Sequence, residues 1–301
     1  MPEKWTEKIG NSREWYWRGW RIRYSFARPN NYRDLEKPPL LLIHGFGAAI
    51  GHWRHNILKL AESQPVYALD LLGFGNSGKV FTQYSISLWE AQVYDFWRTF
   101  IGSPVVLIGN SLGSLVSLTI AARHPEAVAG LIMLNIPDVG DRRKMIPPLI
   151  FPLLRTLENL VANSLILRPL FYFLRRPQTI QRIINLAYFN PTAINAELIE
   201  ILSTPPYDLD ADRAFLALVR SAGSPNFSPP VRELIAHLTL PILLIWGKED
   251  KIIPFRLASK ILQSAPQIQF IALDKTGHCP HDEYPDLLNS LLQDWLREQG
   301  F

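Results

Sequence analysis

One cysteine, Cys279, stands in a chain of 301 residues. That scarcity excludes a framework of internal disulfides and the cysteine-rich zinc modules, and it suits a reducing compartment. The 17 glycines follow no fixed period and the 24 prolines are many, which excludes collagen-like and coiled-coil classes. Excess charge is also lacking. Lys and Arg number 31 against 27 Asp and Glu, a net of +4, too little for the concentrated basic stripe of a nucleic-acid binder. The N-terminal run MPEKWTEKIGNSREW has no apolar core of a secretory signal, so the expectation is a chain that stays inside the cell. There is no H-E-x-x-H, no clustered metal-ligand spacing and no Walker lysine; no metal or cofactor is expected. Hydrophobic residues make up 48%, which excludes disorder as the main state.

Long uncharged runs are few. Residues 99–122 form one of 24 residues, long enough to span a bilayer. Gly102, Ser103 and Pro104 break it early, and Gly109, Asn110, Ser111 and Gly113 break it in the middle. A buried strand, a tight turn and a buried helix account for it better.

Residues 13–29, REWYWRGWRIRYSFARP, alternate apolar or aromatic positions with arginine around Gly19, the pattern of two antiparallel strands joined by a turn. Short apolar runs then recur at 40–43, 66–69, 105–108, 131–134, 242–245 and 268–273, each followed by a Gly-containing turn or a helical pattern. Runs of that kind fit strands buried on both faces of a mostly parallel sheet in an α/β fold. The rhythm stops after Asn135 and resumes near Leu240. Between them lie many prolines, helical periodicity and the apolar runs IPPLIFPLL and LILRPLFYFLRRP. The expected organisation is a core domain from 1–135 and 237–301, with a helical lid inserted as 136–236.

The sharpest motif is Gly109-Asn110-Ser111-Leu112-Gly113, a G-x-S-x-G with VVLI before it and LVSLTIAARH after it. A strand-to-helix turn of this kind projects the Ser111 hydroxyl as a nucleophile. Its base must be one of seven histidines. His278 follows the last apolar run, in KTGHCPH, where a loop delivers an imidazole able to take and return a proton near neutral pH. His281, three residues on, is its rival, with a solvated or capping role expected. Asp250, after the run ending in Trp246, is the expected acid, with Glu249 beside it solvated and Asp138 as the alternative. Two backbone N–H groups should form an oxyanion hole, one from Leu112 and one from Phe46 in His44-Gly45-Phe46-Gly47. His44 is expected to buttress that loop. The Gly-rich stretch DLLGFGNSG from Asp70 carries G-x-G without the rest of a dinucleotide fingerprint and is taken as a structural turn beneath the site. Asn110 and Trp53 are candidate substrate contacts, with core packing equally open for Trp53.

With these motifs in place, the chain resembles serine hydrolases of the α/β-hydrolase superfamily. The segments LLLIHGFGAAIGHWRHN, VYALDLLGFGNSGK, GNSLGSLVSLTIAARHPEAVAGLIMLN, GHCPHDEYPDLLNSLLQDWL and WRGWRIRYSF are similar to chlorophyll dephytylases and pheophytinases of photosynthetic organisms. The resemblance covers nearly all of the sheet domain and is weak in the lid. It implies Ser111, His278 and Asp250 as triad, Phe46 and Leu112 as oxyanion donors, no cofactor, and hydrolysis of the ester joining phytol to a chlorophyll-type ring. One departure is Ser114, where these families usually have glycine. From Asp141 to Arg182, eight cations stand against two acids, a net of +6, among aliphatic stretches. Such a segment suits an anionic membrane surface, here a photosynthetic one, or an ordinary lid buried on the sheet domain.

Overall fold

The computed structural model describes residues 4–138 and 164–301. Eight strands form one sheet in the order β1-β2-β4-β3-β5-β6-β7-β8. They are β1 (Asn11–Trp17), β2 (Trp20–Ala27), β3 (Leu40–Ile43), β4 (Val66–Leu69), β5 (Val105–Asn110), β6 (Val128–Leu134), β7 (Ile242–Gly247) and β8 (Gln269–Leu273). The six from β3 to β8 run parallel; β2 pairs antiparallel with β4 and with β1. The β1–β2 hairpin turns at Arg18 and Gly19, both at positive φ, 52° and 81°, as a two-residue turn between twisted strands demands.

The inner parallel strands are mostly apolar because both faces are covered. Leu41, Ile43, Leu107, Met133 and Leu244 join one core, while Leu40, Leu42, Ile108, Leu134 and Ile245 join the other. Successive side chains of a strand point to opposite faces, so each run feeds both cores. Helices Ile86–Phe100 and Leu112–Arg123 cover the first face, and helix Pro285–Glu298 covers the second.

Strand order reverses at β3, with β4 on one side and β5 on the other. In open sheets of this kind the crevice beyond the strands' carboxyl ends at such a reversal is where ligands bind. Over that end, between β6 and β7, run helices Ser164–Leu174, Pro177–Ala187, Ala196–Ser203 and Ala211–Ala222. No strand occurs among the described residues of 136–236. IPPLIFPLL lies outside the described residues, as do Asp141, Arg142, Arg143, Lys144, Arg155 and Glu158. Among the described residues, no helix is long and apolar enough to cross a membrane. The uncharged stretch 99–122 divides among the end of helix Ile86–Phe100, a connection, β5 and helix Leu112–Arg123, with Ser111 at the turn.

Candidate active site

Ser111 sits between the last residue of β5 and the first turn of helix Leu112–Arg123, at φ 54° and ψ −116°. A non-glycine residue held there costs on the order of 1–3 kcal/mol, so its surroundings must enforce it. They do so by close approach. A Cβ on Gly113 would lie 2.1 Å from the Ile43 carbonyl oxygen, and one on Gly109 would lie 2.4 Å from the Gly113 backbone. The Ser111 N–H donates to the Leu134 carbonyl at 2.8 Å. Ser114, the departure from the usual glycine, fits this packing. Its hydroxyl lies 2.7 Å from the Gly109 carbonyl and accepts the Leu134 N–H at 3.1 Å, fastening the helix to β5 and β6. The helix N-terminus behind Ser111 supplies roughly half a positive charge where an oxyanion would form.

Asp250 and His278 meet. The loop after β7 carries Asp250, the loop after β8 carries His278, and the imidazole Nδ1 lies 2.8 Å from the carboxylate Oδ2. The rest of the carboxylate is occupied by donors: Asn135 Nδ2 at 2.6 Å on Oδ2, and the N–H groups of Ile252 and Ile253 at 2.8 Å each on Oδ1. Next to a carboxylate, Nδ1 carries the proton and Nε2 keeps a free lone pair. Ser111 and His278 line the same cleft. The alternative acid, Asp138, instead accepts the Val231 N–H at 3.3 Å. Glu249 is not simply solvated, since its carboxylate accepts the Thr276 N–H at 2.9 Å.

The loop after β3 abuts the elbow: a Cβ on Gly45 would lie 3.3 Å from the Ser111 Cβ. Phe46 lines the cleft with its ring 5.2 Å from that of Phe74. His44 is fully buried and buttresses this loop, with Nδ1 2.7 Å from the Gly45 carbonyl and Nε2 accepting the Leu71 N–H at 3.0 Å. In the Gly-rich turn, the Asp70 carboxylate accepts the N–H groups of Ile50 and Asn76 at 2.7 Å each. Asn110 lines the cleft, yet its Nδ2 donates to the His278 carbonyl at 3.0 Å, tying the Ser111 and His278 loops together.

Two further expectations need correction. Trp53 does not line the cleft; it is fully buried, its ring 4.2 Å from that of His281. His281 is neither solvated nor a cap. It is fully buried in the single turn Pro280–Glu283, against Trp53 and against His52 at 4.4 Å. Burial holds its imidazole well below the usual histidine range, and the neighbouring His52 pushes the same way.

The cleft has a volume of about 430 Å³. Most of its wall is apolar, from Phe171, Leu174, Ile180, Ile184, Phe215 and Leu218 of the helical segment. A polar strip of His52, Tyr188 and Cys279 adjoins His278. Tyr188 donates to Asp282 at 2.7 Å and lies 2.7 Å from His52 Nε2, while Arg54 pairs with Asp282 and Glu197, each at 2.7 Å. Burial first, and the Asp282 carboxylate second, push the Tyr188 hydroxyl well up. Burial likewise pushes the Cys279 thiol up, which leaves it a poor nucleophile at neutral pH. Sequence reasoning missed Asn135, Tyr188 and Asp282. Asn135 left a signal: an asparagine directly after a buried strand, at φ 49°, tolerates the left-handed turn that aims its amide at Asp250.

A mostly parallel sheet with a serine on a strained strand–helix turn defines a hydrolase of the α/β class. The chain belongs to the alpha/beta hydrolase family, whose pattern matches residues 40–291. It is 25% identical to the chloroplastic pheophytinase of Arabidopsis thaliana over 92% of this chain, spanning 64% of that protein's length. It is 27% identical to the 2-hydroxymuconate semialdehyde hydrolase of Pseudomonas sp. (strain CF600), over 86% of this chain and 87% of that one. Among solved structures, a bacterial membrane phospholipase A superposes with a TM-score of 0.76 at 24% identity, covering 97% of this chain and 87% of that one.

Proposed function

We propose that the protein is a serine carboxylic-ester hydrolase that removes the phytyl chain from chlorophyll-type pigments. The observation that carries this is the meeting of Asp250 and His278 at 2.8 Å, beside a strained Ser111 that opens into an apolar cleft. Ser111 Oγ attacks the ester carbonyl carbon while His278 Nε2 takes its proton. The carbonyl oxygen becomes an oxyanion between the N–H groups of Phe46 and Leu112. The tetrahedral intermediate collapses, His278 returns the proton to the departing alcohol, and water activated by the same imidazole hydrolyses the acyl-enzyme. The resident residues suffice for each step. The apolar wall suits a long branched hydrocarbon, and a volume of about 430 Å³ suits that chain with the broad ring left at the mouth.

In this reading, 136–236 is the lid on a core of 1–135 and 237–301, and the lid meets the membrane that holds the pigment. Helix Ser164–Leu174 supports the idea, being apolar on two faces: Leu167 and Phe171 are buried, while Ile166, Leu170 and Phe173 are exposed at the same helical spacing. From 164 to 196 there are four arginines and no acid, a balance that suits anionic lipid. Incubation with chlorophyll and with pheophytin, followed by chromatography, is expected to yield the dephytylated rings, and Ser111→Ala is expected to yield none. Intact pigment with the wild-type protein would reject the substrate. In parallel, Ile166, Leu170 and Phe173 changed together to Glu should lower sedimentation with phosphatidylglycerol vesicles; unchanged sedimentation would reject the membrane surface.

One observation favours a second reading, cleavage of a carbon–carbon bond in an anionic dienone-type substrate, the alternative suggested by the semialdehyde hydrolase relative. Arg175 lines the cleft and stacks over Tyr172 and Tyr207 at 4.4 Å each, so a cation faces the site where a carboxylate would enter. Turnover of a ring-cleavage product with none of pigment or p-nitrophenyl esters would select this reading.

A further inference from the structure

The backbone around His278 is held from two directions. Its own N–H donates to the Ala187 carbonyl at 2.7 Å, and its own carbonyl accepts from Asn110. The peptide N–H groups on either side, of Gly277 and Cys279, both donate to one carboxylate oxygen, Glu283 Oε1, at 3.0 and 3.3 Å. The other oxygen, Oε2, accepts the N–H groups of Phe189 and Asn190, at 2.8 and 3.0 Å, where the helical segment passes the base loop. Glu283 is 3% exposed. Burial pushes its carboxyl up, and the same four N–H groups pull it back.

We propose that Glu283 is a positioning residue that couples the seating of the inserted helices to the proposed base, His278. The proposal rests on the Ser111–His278–Asp250 reading. An ionised carboxylate only accepts, and four donors fill it with nothing left over. One oxygen fixes both peptide units that carry the imidazole, and the other reads the position of 189–190. There is no slack between the two segments, since a Cβ on Gly277 would lie 2.3 Å from the Ala187 carbonyl oxygen. A shift of the insert therefore reaches the base loop through this side chain as well as through the His278 N–H bond to the Ala187 carbonyl. Glutamine cannot replace it, because an amide offers one acceptor oxygen and turns an NH₂ toward two N–H groups.

The test uses a fluorophosphonate probe on the full chain, with the labelled residue located by mass spectrometry. Labelling reports the competence of Ser111 and its base without any knowledge of the natural substrate. Glu283→Gln is expected to slow the maximal labelling rate on the order of tenfold or more, with the half-saturating probe concentration changed by less than about twofold. Asn190→Pro removes one N–H from Oε2 and is expected to slow labelling in the same way. Asn190→Ala keeps that N–H while losing the side-chain bonds to the Glu283 carbonyl and Thr192, and is expected to slow labelling far less than Asn190→Pro. If both act through one carboxylate, the double variant Glu283→Gln/Asn190→Pro will fall short of the product of the single effects. Equal rates for Glu283→Gln and wild type, equal rates for Asn190→Pro and Asn190→Ala, or effects that multiply would each overturn the coupling. Should Glu283→Gln fail to fold, as thermal melting will reveal, the Asn190 pair decides alone. A wild-type protein not labelled at Ser111 would bring down the triad reading and this inference together, whereas labelled wild type with unaffected variants brings down the inference only.

Discussion

His278 and His281 stand three residues apart, both are buried, and their surroundings differ in almost every other respect. His278 opens onto the cleft and gives its Nδ1 to a carboxylate that three further donors hold in place. His281 is packed between Trp53 and His52, and neither of its ring nitrogens has a hydrogen-bond partner among the described residues. Burial by itself makes an imidazole neutral and inert. A carboxylate on one nitrogen and a reacting atom within reach of the other are what make it a base.

The largest expected effect tests the His278 side. His278→Ala or Ser111→Ala should each cost on the order of 10⁶ in kcat, and both together should cost little more than either alone. Kinetics on whichever ester proves to be turned over, or labelling rates in its absence, read this directly. Additive losses would show that the two side chains do not act as one unit. Asp250→Asn comes next, at about 10⁴, because an amide there favours the wrong imidazole tautomer while the geometry survives. Asp138→Asn, which touches the Val231 N–H and not the histidine, is the matched control and should stay near wild type.

The same contrast explains what could be read from the sequence. Ser111, Asp250 and His278 each follow a short apolar run, and topology delivers the ends of such runs to one edge of the sheet, so the pairing of Asp250 with His278 and the cleft that His278 shares with Ser111 were legible before any coordinate. The strands were legible for the same reason: runs such as 40–43 and 66–69 are apolar at every position because both faces are covered. His281 was misjudged because sequence shows a polar residue entering a helix and does not show what closes over it. Here Trp53, 228 positions earlier, and His52 close over it. Tyr188, Asp282 and Glu283 were invisible for a related reason. Their partners come from the helical segment and the base loop, far apart in the chain and joined only by packing of the insert.

A middle-sized effect is expected on the polar strip between the two histidines. Tyr188→Phe removes the hydroxyl that links Asp282 to His52 and leaves a buried carboxylate oxygen and a ring N–H short of a partner. Leaving such groups unsatisfied costs about 1–3 kcal/mol, readable as a lower midpoint in urea at unchanged slope. A midpoint equal to the wild type would mean the hydroxyl contributes nothing to the seating of the insert.

The smallest expected effect falls on His281 itself, and its size depends on pH. Phenylalanine matches the ring shape, fits between Trp53 and His52, and removes two buried nitrogens that lack partners among the described residues, so His281→Phe should be close to neutral or slightly stabilising at pH 8. Activity should stay within about threefold, equivalent to roughly 0.6 kcal/mol. The difference appears in acid. Burial depresses the folded-state pKa of His281 below the unfolded value near 6.5, so the unfolded chain binds the extra proton first. Stability conferred by the neutral form is complete above that unfolded value and is lost as pH falls through 6.5 toward the depressed folded value. The slope is up to ~1.4 kcal/mol per pH unit for one such group. His281→Phe deletes that contribution, so the gap between variant and wild type should open from pH 6.5 downward, with the variant the more stable. Urea melts at pH 8, 6.5 and 5.5 measure it; parallel stability curves for the two proteins would show that folding does not lower the pKa of His281, contrary to its burial between Trp53 and His52.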